Sequence, residues 1–266
     1  MRAMSTTSRP HRTTSALFVL LAASALPVHA WTPTSQQRIA EVAARLAPPD
    51  LYRQLARHRA AYLQGALDPF REAEPAHHFA NGDGSGKLDQ AIAQAVDNAI
   101  AAIQTHQPFD EIAYRAGVVS HYLADANNPL NADETDRDEA RYFADYLRYL
   151  ENVEPRVEMV FYGFRGGFEG RRDLPALIRE TLRRSRGFYP VVGREYRRVG
   201  FASGIATFDD RSSAYGVAAL SYSHAVSDIA EVLRYIWIEA GGIDTRVRIP
   251  LRGHHLMPLP RASEAR

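Results

Sequence analysis

Cysteine is absent from this chain of 266 residues, which excludes disulfide bonds as a source of stability. A chain of this length can bury a sizeable core, so we expect the core, with or without a bound metal ion, to hold the fold. Lysine occurs only once, at Lys87, and arginine supplies the other basic residues. Basic and acidic residues nearly balance, 32 against 31, so a general nucleic-acid-binding surface is not implied.

Long apolar runs are also scarce, and the one that stands out lies at the N-terminus, from Ala16 to Leu26. It is too short to span a bilayer. Basic residues precede it, and small residues follow at Val28 and Ala30, which is the layout of a secretory signal. We therefore predict a signal peptide over residues 1–30 and an exported protein, periplasmic or secreted, with no transmembrane anchor after cleavage before Trp31.

Alternation of polar and apolar residues with a period of two, the pattern of a half-buried strand, is almost missing. Apolar residues recur instead at helical spacing, as in Ile92, Val96 and Ile100. The sequence predicts an all-α fold, a single multi-helix domain over residues 31–243, followed by a loose C-terminal tail over 244–266.

Capping residues, glycines and prolines predict the helix boundaries. We expect the first helix to be capped by Thr34 or Ser35, and the second to be stopped by Gly65. Asp89 is expected to cap the third helix. The remaining expected helices run from Asp110 to about Asn127 and over residues 134–152, 156–164, 173–188 and 213–240.

A histidine and an aspartate stand four residues apart on the expected fourth helix, at His121 and Asp125. That spacing puts both side chains on one helix face, where they can share or bridge metal ions. The spacing is common, and His224 and Asp228 repeat it on the last long helix without other ligand types nearby. We interpret that second pair as an intrahelical hydrogen bond or a core histidine.

Further ligand types surround the first pair in the sequence. Asp68 and His78 lie in segments that follow a helix, where side chains can converge on a buried helical pair. Cleavage before Trp31 would also leave an α-amino group beside its own carbonyl, which together can chelate a metal. This ordered set, with Asn-Pro-Leu after Asp125, resembles the zinc-dependent phospholipases C and the single-strand-specific nucleases that share their fold, from Trp31 to about residue 150.

The resemblance implies roles for these residues. Asp68, His78 and His121 are expected to bind a first zinc ion. Asp125 is expected to bridge that ion to a zinc held by Trp31.

Other positions depart from the family. Gln36, Asn131 and Arg141 stand where the family has histidines, while Asp145 keeps a carboxylate. Neutral amide oxygens are poor zinc ligands beside imidazole, so we expect one or two zinc ions rather than three. Arg141 could bind a phosphate group, although an ion pair with Asp145 one turn later is the interpretation we favour.

The implied function is zinc-dependent hydrolysis of phosphate esters, phospholipase C-like, by a metal-activated water that Asp68 or Asp125 orients or deprotonates. A phospholipid or another phosphate ester is the expected substrate. Nucleic acid is less favoured, because the nuclease branch usually carries disulfides. The alternative is a degenerate, non-catalytic member that keeps at most one structural or binding zinc.

Overall fold

Helices dominate the computed structural model, which describes residues 31–165 and 173–242. The expected signal peptide and the expected tail lie outside the described residues. Within the described ranges there are nine α-helices and no strand ladder, so the prediction of an all-α fold is confirmed. None of these described helices combines the length and the apolar character needed to cross a membrane.

The helices follow one another in chain order, with short 3-10 turns between some of them. They are α1 (Pro33–Ala44), α2 (Pro49–Arg57), α3 (Arg59–Leu67), α4 (Leu88–Gln104), α5 (Phe109–Ala126), α6 (Glu139–Val153), α7 (Leu174–Arg198), α8 (Gly204–Thr207) and α9 (Ser213–Glu239).

The caps of α1 and α4 differ from the predicted ones, and α6 begins at Glu139 rather than at residue 134. The cap of α1 is Thr32, whose hydroxyl accepts a hydrogen bond from the Ser35 amide at 3.2 Å. Lys87 occupies the cap position of α4, and Asp89 falls in its first turn. In the loop before α4, the Asp83 carboxylate accepts hydrogen bonds from both the amide and the hydroxyl of Ser85. This carboxylate therefore stabilises the turn in which it lies.

The predicted stop at Gly65 is wrong, because α3 continues through this residue to Leu67. Gly65 is instead a contact point with α5. A Cβ atom on Gly65 would lie 1.9 Å from the carbonyl oxygen of Tyr114, and one on Gly117 would lie 2.0 Å from the carbonyl oxygen of Tyr62. Only glycine lets the two helix backbones approach this closely.

The helix predicted over 156–164 is also wrong. Beyond a 3-10 turn that ends at Arg156, the chain continues extended from Val157, turns at Gly163, where φ is 83°, and lies along α9 as far as Arg165. Its amides donate to side chains of that helix: Val160 to Ser223 Oγ, Tyr162 to Ser227 Oγ and Arg165 to Glu231 Oε2, at 3.0, 3.2 and 2.7 Å.

A short alternation explains this extended segment. Val157, Met159 and Phe161 are buried, whereas Val160 and Tyr162 are exposed. This period of two indicates extended chain, but it covers too few residues to stand out beside the long helical patterns.

Helix α5 occupies the centre of the fold, in contact with α3, α4 and α9. Its middle and C-terminal half, from Val119 to Ala126, is buried. Polar residues in this half therefore lie inside the protein, where each must find a partner.

We expect Gly117→Ala to destabilise the protein by about 3 kcal/mol, because the added methyl group forces α3 and α5 apart. Urea unfolding followed by circular dichroism measures this loss. Gly187→Ala is the matched control, since Gly187 is an exposed helical glycine with no neighbour within 4 Å of the added carbon. It should stabilise by about 0.5–1 kcal/mol, and equal losses in both variants would contradict the close contact.

Candidate metal centre

His121 is oriented by a carbonyl group at the end of a neighbouring helix. Its Nδ1 atom lies 2.8 Å from the carbonyl oxygen of Ala66 in the last turn of α3. Carbonyls in a last turn have no partner within their own helix. Because a carbonyl only accepts hydrogen bonds, Nδ1 carries the proton, and Nε2 of the neutral ring presents its lone pair to the opposite side.

Three ligand atoms converge at that opposite side. Nε2 of His121 lies 3.3 Å from Nδ1 of His78 and 3.2 Å from Oδ2 of Asp125, and the His78 and Asp125 atoms are 2.8 Å apart. All three residues are at most 2% exposed. Tetrahedral zinc with bonds of about 2.0–2.1 Å separates its ligands by about 3.3 Å, so the group could hold a metal ion.

The charges in this group favour a cation between the ligands. Burial by itself would raise the pKa of Asp125, but His121 and His78 outweigh it and lower that pKa to about 2. Burial likewise disfavours a charged His78, yet the hydrogen bond and charge of Asp125 raise its pKa. An ionised, buried carboxylate needs compensation, which either a proton on the imidazoles or a metal ion supplies.

Helix α7 holds in place the loops around His78. His78 ends the 3-10 turn Pro75–His78, and two residues later the Ala80 amide donates to the carbonyl of Asn131 at 2.9 Å. Arg186 of α7 donates to the carbonyls of both Ala80 and Ala132, at 3.1 and 2.9 Å. One guanidinium therefore fixes the segment that follows His78 to the segment that follows α5.

Asp68, the fourth predicted ligand of the first zinc, does not join this group. Its carboxylate accepts from Arg71 at 3.1 Å and from Gln64 at 3.3 Å, and it lines an outer groove with Tyr114. The 3-10 turn Asp68–Arg71 begins at Asp68, so Arg71 lies three residues away on the same side. This local ion pair holds the carboxylate at the surface.

Trp31 has a structural contact next to the ligand group. The indole is 1% exposed, and its Nε1 donates to the carbonyl of Ala124 at 2.8 Å. Its ring packs against Tyr222, with centroids 4.8 Å apart. The side chain thus fixes the start of the described chain to α5, one residue before Asp125.

Gln36 and Asn131, two of the replaced ligand positions, are fully buried. Asn131 donates from Nδ2 to the backbone carbonyl of Asp125 at 3.3 Å. Its Oδ1 atom and both amide atoms of Gln36 have no hydrogen-bond partner within residues 31–165 and 173–242, and the same holds for Oδ1 of Asp125. Of these residues, Asn131 adjoins the ligand group through its hydrogen bond to the Asp125 backbone.

Arg141 and Asp145 do not form the predicted ion pair. Arg141 bonds to Asp138 at 3.2 Å and lies over the ring of Phe201, 3.5 Å from its centroid. Asp145 accepts from the Tyr196 hydroxyl at 2.8 Å and from the Gly204 amide at 2.6 Å. Arg141 thus pairs with the residue that caps its own helix, and Asp145 bonds to neighbouring segments. Arg141 lies on the surface rather than among the buried ligands.

The second histidine–aspartate pair also differs from the first. Asp228 accepts from Arg165, Arg184, Thr181 and Asn127 and so connects α5, α7 and α9. His224 packs on the ring of Tyr162, with centroids 4.8 Å apart. His224 is only partly buried, so it packs at the edge of the core and is not the core histidine that was one of the two predicted alternatives.

Glu72 is the residue that the sequence interpretation missed. Its Oε2 atom accepts from the Tyr122 hydroxyl at 2.7 Å and lies 3.2 Å from His77 Nδ1 and 3.8 Å from His78 Nε2. Glu72, His77 and Tyr122 line a groove of about 360 Å³ together with Gln94 and other residues of α4, whereas the ligand His78 does not line it. No regular spacing in the sequence relates Glu72 to the ligands.

Neither a scan against protein-family models nor a search of curated proteins finds a match for this chain. Its function is therefore inferred from the geometry of the site and from the motifs in the sequence.

We expect Asp68→Asn to leave zinc affinity within about threefold of the wild type, whereas Asp125→Asn should weaken it more than about 100-fold. The two affinities should differ because Asp68 lies at the surface with Arg71, whereas Asp125 lies inside the ligand group. Competition with a chromophoric chelator measures both affinities. A loss at Asp68 as large as that at Asp125 would restore Asp68 to the ligand set.

His224 should make the fold sensitive to acid. Burial, then the charge of Arg184, lowers its pKa to about 4 against the opposing charge of Asp228. The unfolded chain takes up this proton near pH 6.5, so the stability is present above that pH and is lost as the pH falls towards 4.

At pH 4 the wild type should have lost about 2 kcal/mol of its free energy of unfolding through His224, and His224→Phe should not show this loss. The value is reduced for the partial exposure of the ring. Urea unfolding from pH 7.5 to 4 measures it. Parallel stability curves for the wild type and the variant would disprove the role of His224.

Proposed function

We propose that this chain is a zinc-dependent hydrolase of phosphate esters, phospholipase C-like, with one zinc ion held by His78, His121 and Asp125. The observation that supports it is the convergence of two imidazole nitrogens and one carboxylate oxygen within 2.8–3.3 Å of one another. Catalytic zinc sites typically use three protein ligands and keep a fourth position open, whereas structural sites use four.

His121 and Asp125 have different roles at such a site. When bound, zinc acts as a Lewis acid and lets water lose a proton near neutral pH. His121 keeps Nε2 directed at the site because Ala66 holds its other nitrogen. The Oδ2 atom of Asp125 faces the two imidazoles. Its other oxygen, the buried Oδ1, is the atom able to orient a water molecule or to accept the proton of that water.

The resemblance to the phospholipase C family supports a phospholipid or another phosphate ester as substrate, with nucleic acid less favoured. An exported protein would meet such substrates in the periplasm or outside the cell. Gln36, Asn131 and Arg141 support one zinc rather than three, because none of them offers an imidazole.

A second candidate function is zinc binding without catalysis. The burial of the three ligands favours it, since none is more than 2% exposed. A substrate would need a route from the surface to these ligands, and none of the three lines the groove near Glu72 and Tyr122. A protein that uses zinc only to support its helices has no need of such a route.

We expect about one zinc per chain in protein exported with its own signal, measured by atomic emission after dialysis. His121→Ala should lose the metal and, if the site is catalytic, the turnover of a phosphorylcholine ester. His58→Ala is the control, because His58 stacks near Phe109, outside the ligand group.

The outcomes separate the two functions. Absence of zinc from the wild type would overturn both. Bound zinc without turnover of the phosphorylcholine ester or of single-stranded DNA would favour the non-catalytic function. Turnover that survives in His121→Ala would exclude this site as the catalytic one.

A further inference from the structure

The segment that carries His78 is held together by its own backbone. This segment, the His78 arm (residues 75–88), runs from a 3-10 turn to the first residue of α4. Amides near its end donate to carbonyls near its beginning: Lys87 to Ala76 and Leu88 to Phe79, at 2.6 and 3.1 Å. Because its ends are bonded to each other, as in a compact surface loop, the arm carries His78 as a unit.

Arg186 of α7 joins the His78 arm to the segment that follows α5. Its Nη2 atom donates to the carbonyl of Ala80 in the arm at 3.1 Å, and its Nε atom donates to the carbonyl of Ala132 at 2.9 Å. The arm also lies against the guanidinium at Gly82, where a Cβ atom would be 3.3 Å from Nε. One planar group therefore contacts the arm at two points and the segment after α5 at a third.

The three proposed ligands come from two separate segments. His121 and Asp125 share α5, so the helix itself fixes their spacing. His78 belongs to the arm, which must bring its Nδ1 atom to 2.8 Å from Oδ2 of Asp125. The separation of His78 from the other two ligands thus depends on how the arm is attached to the segment after α5.

We infer that Arg186 is a positioning residue that sets the zinc affinity by holding His78 opposite Asp125. This inference rests on the proposed zinc site. The hydrogen bonds of the guanidinium go to backbone carbonyls that follow the ligands in each segment, rather than to the ligands. Arg186 therefore acts on the metal only through the position of His78.

An arginine suits this role because its donors form a rigid fork. Nε and Nη2 belong to one planar group, and hydrogen bonds from a charged donor are stronger than neutral ones. A lysine ammonium is a point charge on a flexible stem and does not fix two carbonyls in one plane. Helix α7 is itself anchored in the core, because Thr181 and Arg184 donate to the buried Asp228 of α9. The core therefore determines where the guanidinium lies.

The test compares Arg186→Ala with Arg183→Ala. Arg183 lies one turn earlier on α7, is exposed and pairs with Glu180. We expect Arg186→Ala to weaken zinc binding about tenfold, the lower end of the range for residues that support metal ligands. Arg183→Ala should leave it within about twofold, since exposed ion pairs contribute little. Arg186→Lys keeps the charge and should fall between the wild type and Arg186→Ala. Competition with a chromophoric chelator measures the affinities.

Two further readouts separate the positioning of His78 from general support of the fold. Hydrogen exchange of the metal-free protein follows the Ala80 amide, which donates to the Asn131 carbonyl. In Arg186→Ala this amide should exchange faster, while amides in the middle of α5 stay protected. Cobalt(II) in place of zinc reports ligand geometry through its visible absorption. Its spectrum should change in Arg186→Ala and stay unchanged in Arg183→Ala.

The outcomes distinguish a failure of this inference from a failure of the zinc site. Zinc bound equally well by the wild type and by Arg186→Ala, with the same cobalt spectrum, overturns the role of Arg186 and leaves the zinc site standing. A wild-type protein without zinc affinity overturns both. Exchange that rises equally at Ala80 and in α5 shows a general loss of stability and contradicts a specific role in holding the arm. If metal-free Arg186→Ala does not fold, Arg186→Gln replaces it, and unchanged zinc affinity in that variant overturns the role.

Discussion

The hydrogen bond between His121 Nδ1 and the carbonyl of Ala66 is the interaction on which the candidate centre depends. It exists only because α3 and α5 touch along their backbones, which requires glycine at positions 65 and 117. It also decides which ring nitrogen faces Asp125, so helix packing sets the chemistry of the ligand. Two residues without functional side chains are therefore as necessary to the centre as the ligands themselves.

Helix content could be predicted from the sequence wherever a long apolar repeat or a proline marked the element, as in α4 and α5. The failures came where a neighbour decides the conformation. A glycine such as Gly65 has the same local sequence pattern as a helix stop. Only the position of α5 shows that Gly65 is instead the point where α3 contacts that helix. At the site, the spacing of His121 and Asp125 and the loop position of His78 indicated a cluster that the structure brings together. The structure places Asp68 outside this group, with its carboxylate bonded to the nearby Arg71, and the position of Glu72 follows from tertiary contacts alone.

The two buried aspartates that follow a histidine by four residues show how partners determine function. Asp228 is compensated by Arg165 and Arg184, whose guanidinium groups keep their charge at any ordinary pH. Asp125 faces His78 and His121, whose imidazole nitrogens are of the type that binds metal ions. The same sequence pattern thus produces a structural ion-pair network in one place and a group that could hold a metal ion in the other.

The extended segment along α9 has a geometric limit on its length. Residues four apart on a helix are separated by about 6.0 Å along its axis, and residues two apart in an extended chain by about 6.6 Å. Ser223 and Ser227 can therefore match Val160 and Tyr162 almost in step. At the next step the backbone turns at Gly163, where φ is 83°, and Arg165, three residues beyond Tyr162, donates to the longer side chain of Glu231. A helix can thus act as the neighbour of an extended chain, here over the short stretch that ends at this turn.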